Sequence, residues 1–289
     1  MPPAVLLAAL FAVLFWGGSP VATKLAVEAL PPIPMSAVRA GLAAPVGVAL
    51  ALLLRIPLPR RGRQAWLLTL CAFCGFIGFP VIFSYGIART SAIHGAMILA
   101  MLPVFTGAIA HALEGRVPGR MWWIGCAIAV GGEAVLIFGR AGAAEEASLT
   151  GDAICMVAAV IASTGYVTGA RLSQAGYPSQ GTTYWGIALA TLAYLPFMPW
   201  VSQGVDWAAV PWRAWASVVY LGLGVSTLGY VIWYWALGKG GIARIGVLQF
   251  LQPVAGVALA WGMLGEPLTG TVLSATGVIL AGVVIATRR

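Results

Sequence analysis

"GAMILAMLPVFTGAIAHALEG" (Gly95–Gly115) and "GVLQFLQPVAGVALAWGMLGEPLT" (Gly246–Thr269) are apolar runs that each carry a proline near the middle, and Pro103 and Pro253 lie 150 positions apart. A proline inside a helix removes one backbone hydrogen bond and leaves the carbonyl four residues earlier unpaired. Pro103 frees the carbonyl of Leu99, Pro253 that of Gln249, and Pro80 that of Phe76. In hydrocarbon a freed carbonyl must find a partner or line a polar cavity. Two prolines at matching places therefore read as hinges or cavity-lining breaks, with Pro80 a third, against the plainer role of packing kinks.

The match extends along the chain. Setting Tyr85 on Tyr234 brings Gly75 onto Gly224 and Pro80 onto Gly229, and one position of slippage later Pro103 meets Pro253. "ALEGRVPG" then echoes "MLGEPLTG", with Glu114 answering Glu266. The chain divides into residues 1–140 and 141–289, joined within "GRAGAAEEASLTG" (Gly139–Gly151), whose small and acidic residues read as a short external linker.

Composition sets the solvent. Of 289 residues 61% are hydrophobic and 8% charged, against about half and a quarter in soluble domains; the mean hydropathy is +0.94. A helix crosses the hydrocarbon core with about 20 apolar residues. Ten such segments fall roughly at 4–23, 35–54, 65–88, 92–113, 118–138, 150–171, 181–202, 214–237, 242–264 and 268–287. The fold expected is an all-α membrane protein of ten transmembrane helices, five to each half. Alternating apolar and polar strands are absent, which excludes an outer-membrane barrel. The first run lacks a basic leader and a small-residue cleavage site, so it reads as a retained helix.

Five is an odd number, so the two halves are expected upside-down to each other. Inverted repeats are a recurring transporter plan, with the site at mid-bilayer and rocking motions that expose either side. The net charge of +8 fits this topology and calls for no nucleic-acid partner. With an inside N-terminus, Arg55, Arg60, Arg61, Arg63, Arg116, Arg120, Arg171, Lys239, Arg244, Arg288 and Arg289 share one side. Lys24, Arg39, Arg89, Arg140 and Arg213 fall on the other. That asymmetry places both termini in the cytoplasm. Cys71 and Cys74 have CxxC spacing without a second ligand pair; with Cys126 and Cys155 they read as small buried hydrophobes, and no metal or cofactor is expected.

Several stretches resemble the EamA branch of the drug/metabolite transporter superfamily. "FWGGSPVATKLAVEALPP" (Phe15–Pro32) is similar to its opening helix, and Arg39 falls where that family has an arginine early in the second helix. "ARTSAIHGAMILAMLPVFTGAIA", "TGDAICMVAAVIASTGYVTGARL" and "LGEPLTGTVLSATGVILAGVVI" resemble its fourth, sixth and ninth-to-tenth helices. The resemblance implies ten helices with both termini inside and export of small metabolites, often amino acids. Within the branch the chain is most similar to the YddG-type exporters of aromatic and other amino acids. It departs in "LEGRVPG", where the family has a Gly-Glu pair, and in the proline of "WGGSP".

Polar and aromatic residues within the spans are the candidate substrate contacts. Gln249 and Gln252 share a face of the ninth span and fit either interhelical glue or substrate hydrogen bonding. Met97 and Met101 follow helical spacing with His94, which sits near the outer end, where a solvated side chain is expected. Tyr230, Trp233 and Tyr234 lie on the eighth span with Ser226 and Thr227 deeper, while Trp235, Trp66, Trp122 and Trp123 read as an interfacial belt. Tyr85, the repeat partner of Tyr234, joins the set, as do Ser163 and Tyr166 on the sixth span and Trp16 and Ser19 on the first.

Glu133 is the one carboxylate expected inside hydrocarbon, either a proton-coupling group or a helix-end side chain reaching the headgroups; Lys24 near an outer end either attracts a carboxylate or snorkels. A site rich in rings and poor in fixed charge suits a zwitterion with a bulky apolar side chain. A sugar phosphate would want several buried Arg or Lys, and none is expected at mid-span. Lipophilic cations or drugs are the alternative cargo, which would want an acid facing the cavity. An intramembrane enzyme is disfavoured because no His/Asp cluster, metal-ligand pair or activated serine is expected at membrane depth. The partners expected are a small-molecule substrate and the lipid bilayer of a bacterial inner membrane; the sequence leaves the oligomeric state open.

Overall fold

The structure is a computed structural model that describes residues 2–114, 119–138, 148–240 and 247–287. Arg116, Arg140, Arg244, the chain's last two arginines, the linker 139–147 and the side chains of Glu114 and Glu133 lie outside the described residues. Among the described residues every regular element is helical. Proline and serine set the starts, since a missing N–H costs nothing at a first turn and a hydroxyl can cap one. Thus α1 (Pro3–Val27) and α2 (Pro32–Leu53) begin at prolines, and the latter follows Pro31. Next come α3 (Arg63–Ile87), α4 (Ala92–Leu113) and α5 (Arg120–Phe138). Ser91 caps α4 by accepting from the His94 N–H at 3.1 Å, and Ser148 caps α6 (Leu149–Gln174) by accepting from the Gly151 N–H at 3.0 Å. The rest are α7 (Ser179–Tyr194, carried on by a turn at Leu195–Phe197), α8 (Trp212–Ala236), α9 (Leu251–Leu264) and α10 (Gly270–Thr287).

Six of these, α1 to α4, α6 and α8, are long and apolar enough to cross a membrane, while α9 and α10 are shorter apolar helices. Their outward faces carry leucine, valine and tryptophan, among them Leu53, Leu192, Trp66, Trp123, Trp200 and Trp212. Continuous apolar exposure of that kind suits lipid and not water.

The packing pairs follow a pattern. α5 lies along α10 and α2 along α7. α3 and α4 both pack on α6, while α8 and α9 both pack on α1. Exchanging the first five helices for the last five converts one set of contacts into the other. Some local distortions follow suit, although the π stretch Ala260–Leu264 in α9 has no counterpart in α4. The turns run in π geometry at Ala72–Gly78 in α3 and at Tyr220–Gly229 in α8. A 3-10 turn precedes each mid-span proline, Leu99–Met101 before Pro103 and Val247–Phe250 before Pro253. Outside the helices, Tyr177 donates its hydroxyl to the Pro57 carbonyl at 2.8 Å and ties two connections together; burial pushes its phenol up to about 12.

Candidate functional site

α1 is broken between Gly17 and Ser19, one residue ahead of Pro20. Trp16 stands at that break, 2% exposed, and its Nε1 donates to the Val225 carbonyl at 3.1 Å. Val225 lies in the π stretch of α8, where carbonyls depart from the α-helical ladder and need other donors. Gly229 makes the contact possible, because a Cβ there would run into the Trp16 indole. This explains why the position matching Pro80 holds glycine.

Around Trp16 the rings converge. Tyr230 lies 4.9 Å away between centroids, Trp233 5.5 Å, and Tyr166 stacks on it at 6.3 Å. Phe76, in the π stretch of α3, meets Tyr230 at 5.2 Å, and Tyr234 meets the same ring at 5.9 Å. Tyr166 meets Tyr230 at 6.1 Å between centroids, and the buried Gln249 Nε2 has no hydrogen-bond partner. Four helices, two from each end of the chain, thus deliver one buried aromatic cluster.

Beside it sits Arg39, 4% exposed, with Nε donating to Ser226 Oγ at 2.9 Å. The expectation that no basic side chain is buried at mid-span is overturned here. Arg39 is the eighth residue of α2, because the helix starts at Pro32 and so carries it about 10 Å along the axis. Counting Arg39 with the loop charges treated a buried group as a topological marker. Arg39, Ser36, Ala40, Phe76, Ile187 and Ser226 line a small cavity of about 10 Å³, space for roughly one water.

A second polar cluster forms where α3 turns into α4. His94 Nδ1 lies 3.0 Å from Asp152 Oδ2, and Thr90 Oγ1 donates to Asp152 Oδ1 at 2.5 Å. Lys24 Nζ donates to the Thr90 carbonyl at 3.1 Å. Glu266 reaches in from the α9–α10 turn, with Oε1 accepting from the Ala92 N–H at 2.6 Å and Oε2 from the Ile93 N–H at 2.8 Å. His94 is therefore buried, not solvated, and pairs with Asp152 where both residues lie in the first turns of their helices. The two residues are 58 positions apart on different helices, which no spacing rule could join.

The remaining candidates lie elsewhere. Tyr85 sits half-buried at the end of α3 with the Arg89 guanidinium 5.6 Å from its ring, outside the aromatic cluster. Met97 and Met101 pack with Val21, Ile93 and Val257 in an apolar core, where Met97 Sδ accepts from Thr276 Oγ1 at 3.5 Å. Ser163 donates to the Leu102 carbonyl at 3.1 Å, next to Pro103. Ser19 and Gln252 are buried near the α1 break. Among the described residues no group of three metal-ligating side chains occurs.

Comparison with known proteins follows the same outline. The profile of the EamA-like transporter family matches twice, over residues 3–138 and 149–288. The chain belongs to the EamA-like transporter family. This EamA-like protein is thus a multi-pass membrane transporter and not an enzyme. It is 31% identical over 280 residues to the uncharacterized transporter YdeK of Bacillus subtilis, covering 96% of this chain and 94% of that one. It is 28% identical over 232 residues to a probable terminal-alkyne amino-acid exporter of Streptantibioticus cattleyicolor, covering 79% and 75%. With a probable amino-acid metabolite efflux pump of Salmonella typhimurium it shares 27% over 294 residues, covering 96% and 92%. A crystal structure 22% identical in sequence superposes with a TM-score of 0.71 over 99% of this EamA-like chain and 98% of the other, a likeness of fold alone.

Proposed function

We propose that the protein exports small neutral metabolites, chiefly amino acids with aromatic or apolar side chains. They would move by alternating access through the interior between two inverted five-helix halves, residues 1–140 and 141–289, with ten spans and both termini cytoplasmic. The observation that carries this reading is the buried ring cluster of Trp16, Phe76, Tyr166, Tyr230 and Trp233. It is drawn from α1 and α3 on one side and α6 and α8 on the other. Large rings with polar tips bind an apolar side chain and still offer hydrogen bonds.

The exchanged packing pairs, the π stretches of α3 and α8 and the 3-10 turns ahead of Pro103 and Pro253 support the inverted arrangement. Similarity to a probable terminal-alkyne amino-acid exporter and to a probable amino-acid metabolite efflux pump supports the cargo. Arg39 counts against the alternative cargo of lipophilic cations, because a buried guanidinium beside the cluster repels them. The buried acid that is present, Asp152, is engaged by His94 and Thr90. Counterflow of labelled phenylalanine into proteoliposomes tests the proposal. Uptake above empty vesicles, competed by unlabelled aromatic and branched amino acids and weakened at least tenfold by Trp16→Ala, is expected. No counterflow with any amino acid would overturn it.

A further inference from the structure

We infer that Arg39, with Ser36 and Ser226, is an anion subsite that reads a carboxylate, so that this protein selects cargo by that group. The inference rests on the export reading and assigns the charged end of the cargo to named residues.

A buried guanidinium is costly unless its charge is paired and its five donors are used. Arg39 uses one, from Nε to Ser226 Oγ. Among the described residues no carboxylate pairs with it; its polar surroundings are the phenols of Tyr230, Tyr194, Tyr166 and Tyr220, the first and third of which also belong to the ring cluster. Tyrosine hydroxyls are neutral near pH 7, so the charge goes uncompensated by the protein.

Ser36 adds a second, independent observation. It precedes Arg39 by three residues, on the same face of α2. Its Oγ is 1% exposed and has no hydrogen-bond partner, and it lines the same cavity as Arg39 and Ser226. One unbalanced cation and an unused hydroxyl around one small void form the donor set for a planar monoanion. A phosphate dianion would want a second cation, and Arg39 is the only basic side chain among the residues lining this cavity. Phe76 lines the cavity and also touches Tyr230. An anion held by Arg39 therefore has its apolar neighbour at the ring cluster, which is the layout of an aromatic α-amino acid.

The test uses the purified protein in detergent and its thermal melting with four probes: phenylalanine, phenylpropionate, phenylalanine methyl ester and phenethylamine. Ligands that bind the folded state raise its melting temperature. Phenylalanine and phenylpropionate are expected to raise it, the ester and the amine not. Arg39→Gln should weaken the effect of both carboxylates at least tenfold, and Arg39→Lys should restore part of it. If Arg39→Gln fails to fold, the wild-type probe series decides alone. Equal shifts with the ester and with phenylalanine, an absence of shift with either carboxylate, or an unaltered response of folded Arg39→Gln would each overturn the subsite. Arg39-dependent shifts without phenylalanine counterflow would keep the subsite and sink the export reading.

Discussion

Removing the carboxylate of Glu266 should unfasten the start of α4. In "LGEP", Gly265 adopts φ +69, the left-handed turn that ends α9 and that glycine takes without strain. That turn brings Glu266 back against α4, where its two oxygens hold the Ala92 and Ile93 N–H groups at 2.6 and 2.8 Å. A charge-assisted hydrogen bond contributes about 1.5–3 kcal/mol. Two would total several, but Glu266 is half-exposed, and water replaces much of what the substitution removes. A net loss of roughly 2 kcal/mol for Glu266→Ala is reasonable, in the range of a strong helix cap. At about 2–4 °C per kcal/mol for a chain of this order, melting should fall by roughly 4–8 °C. Glu266→Gln keeps one acceptor and should lose about half as much. Hydrogen exchange reads the mechanism directly: the amides of Ala92 and Ile93 should lose protection in Glu266→Ala while those of α2 do not. A variant that melts like the wild type, with both amides still protected, would refute this account of the Gly-Glu pair.

Further outcomes follow from other contacts. Asp152→Ala leaves His94 and Thr90 buried without their shared acceptor, so a loss of about 3–5 kcal/mol is expected, read as a lower melting temperature; an unchanged melt would show that the pair is not structurally coupled. Gly229→Ala drives a methyl group into the Trp16 indole and should cost about 1–3 kcal/mol. Phenylalanine counterflow should fall with it, and full retention of both would show that the ring cluster tolerates displacement. In a variant lacking Cys71, Cys74, Cys126 and Cys155, a cysteine at Arg63 or Lys239 should react with an impermeant maleimide from the cytoplasmic face alone, and one at Arg213 from the opposite face. Labelling of positions 63 and 213 from the same face would overturn the orientation.

What could be read from the sequence divides along physical lines. Helix positions were legible because apolar runs are local signals. The ring cluster was largely legible too. Trp16, Tyr166, Tyr230, Trp233 and Tyr234 are large side chains with polar tips inside apolar spans, which is a costly placement without a purpose. Met97 and Met101 gave the same kind of signal but belong to a core, since a helical stripe does not say what it faces. Arg39 was hidden because an arginine near the end of a span looks like a loop charge, and its depth depends on where α2 starts. Asp152 was hidden because an acid in a first helical turn suits the helix dipole and raises no question. Its partner His94 comes from another helix. The π stretches left no trace, because no residue pattern separates them from ordinary helix.

The helix breaks and the aromatic lining are two sides of one arrangement. Within hydrocarbon every carbonyl that leaves the helical ladder needs a donor. At the break in α1, Tyr220 donates its hydroxyl to the Phe15 carbonyl. In the π stretch of α8, Trp16 supplies Val225 and Thr227 supplies Gly222. In that of α3, Tyr194 reaches the Ile77 carbonyl at 3.5 Å, and Ser163 serves Leu102 beside Pro103. Most of these donors are the polar tips of aromatic side chains. Each tip compensates for a distorted backbone, and the Trp16 ring at the same time packs against Tyr166, Tyr230 and Trp233. A run of leucines could fill the same volume but would leave the carbonyls orphaned, and an unbroken helix would give the tips nothing to hold. The distorted turns are therefore tolerated where side chains reach their carbonyls, and at Trp16 the side chain that does so also belongs to the ring cluster.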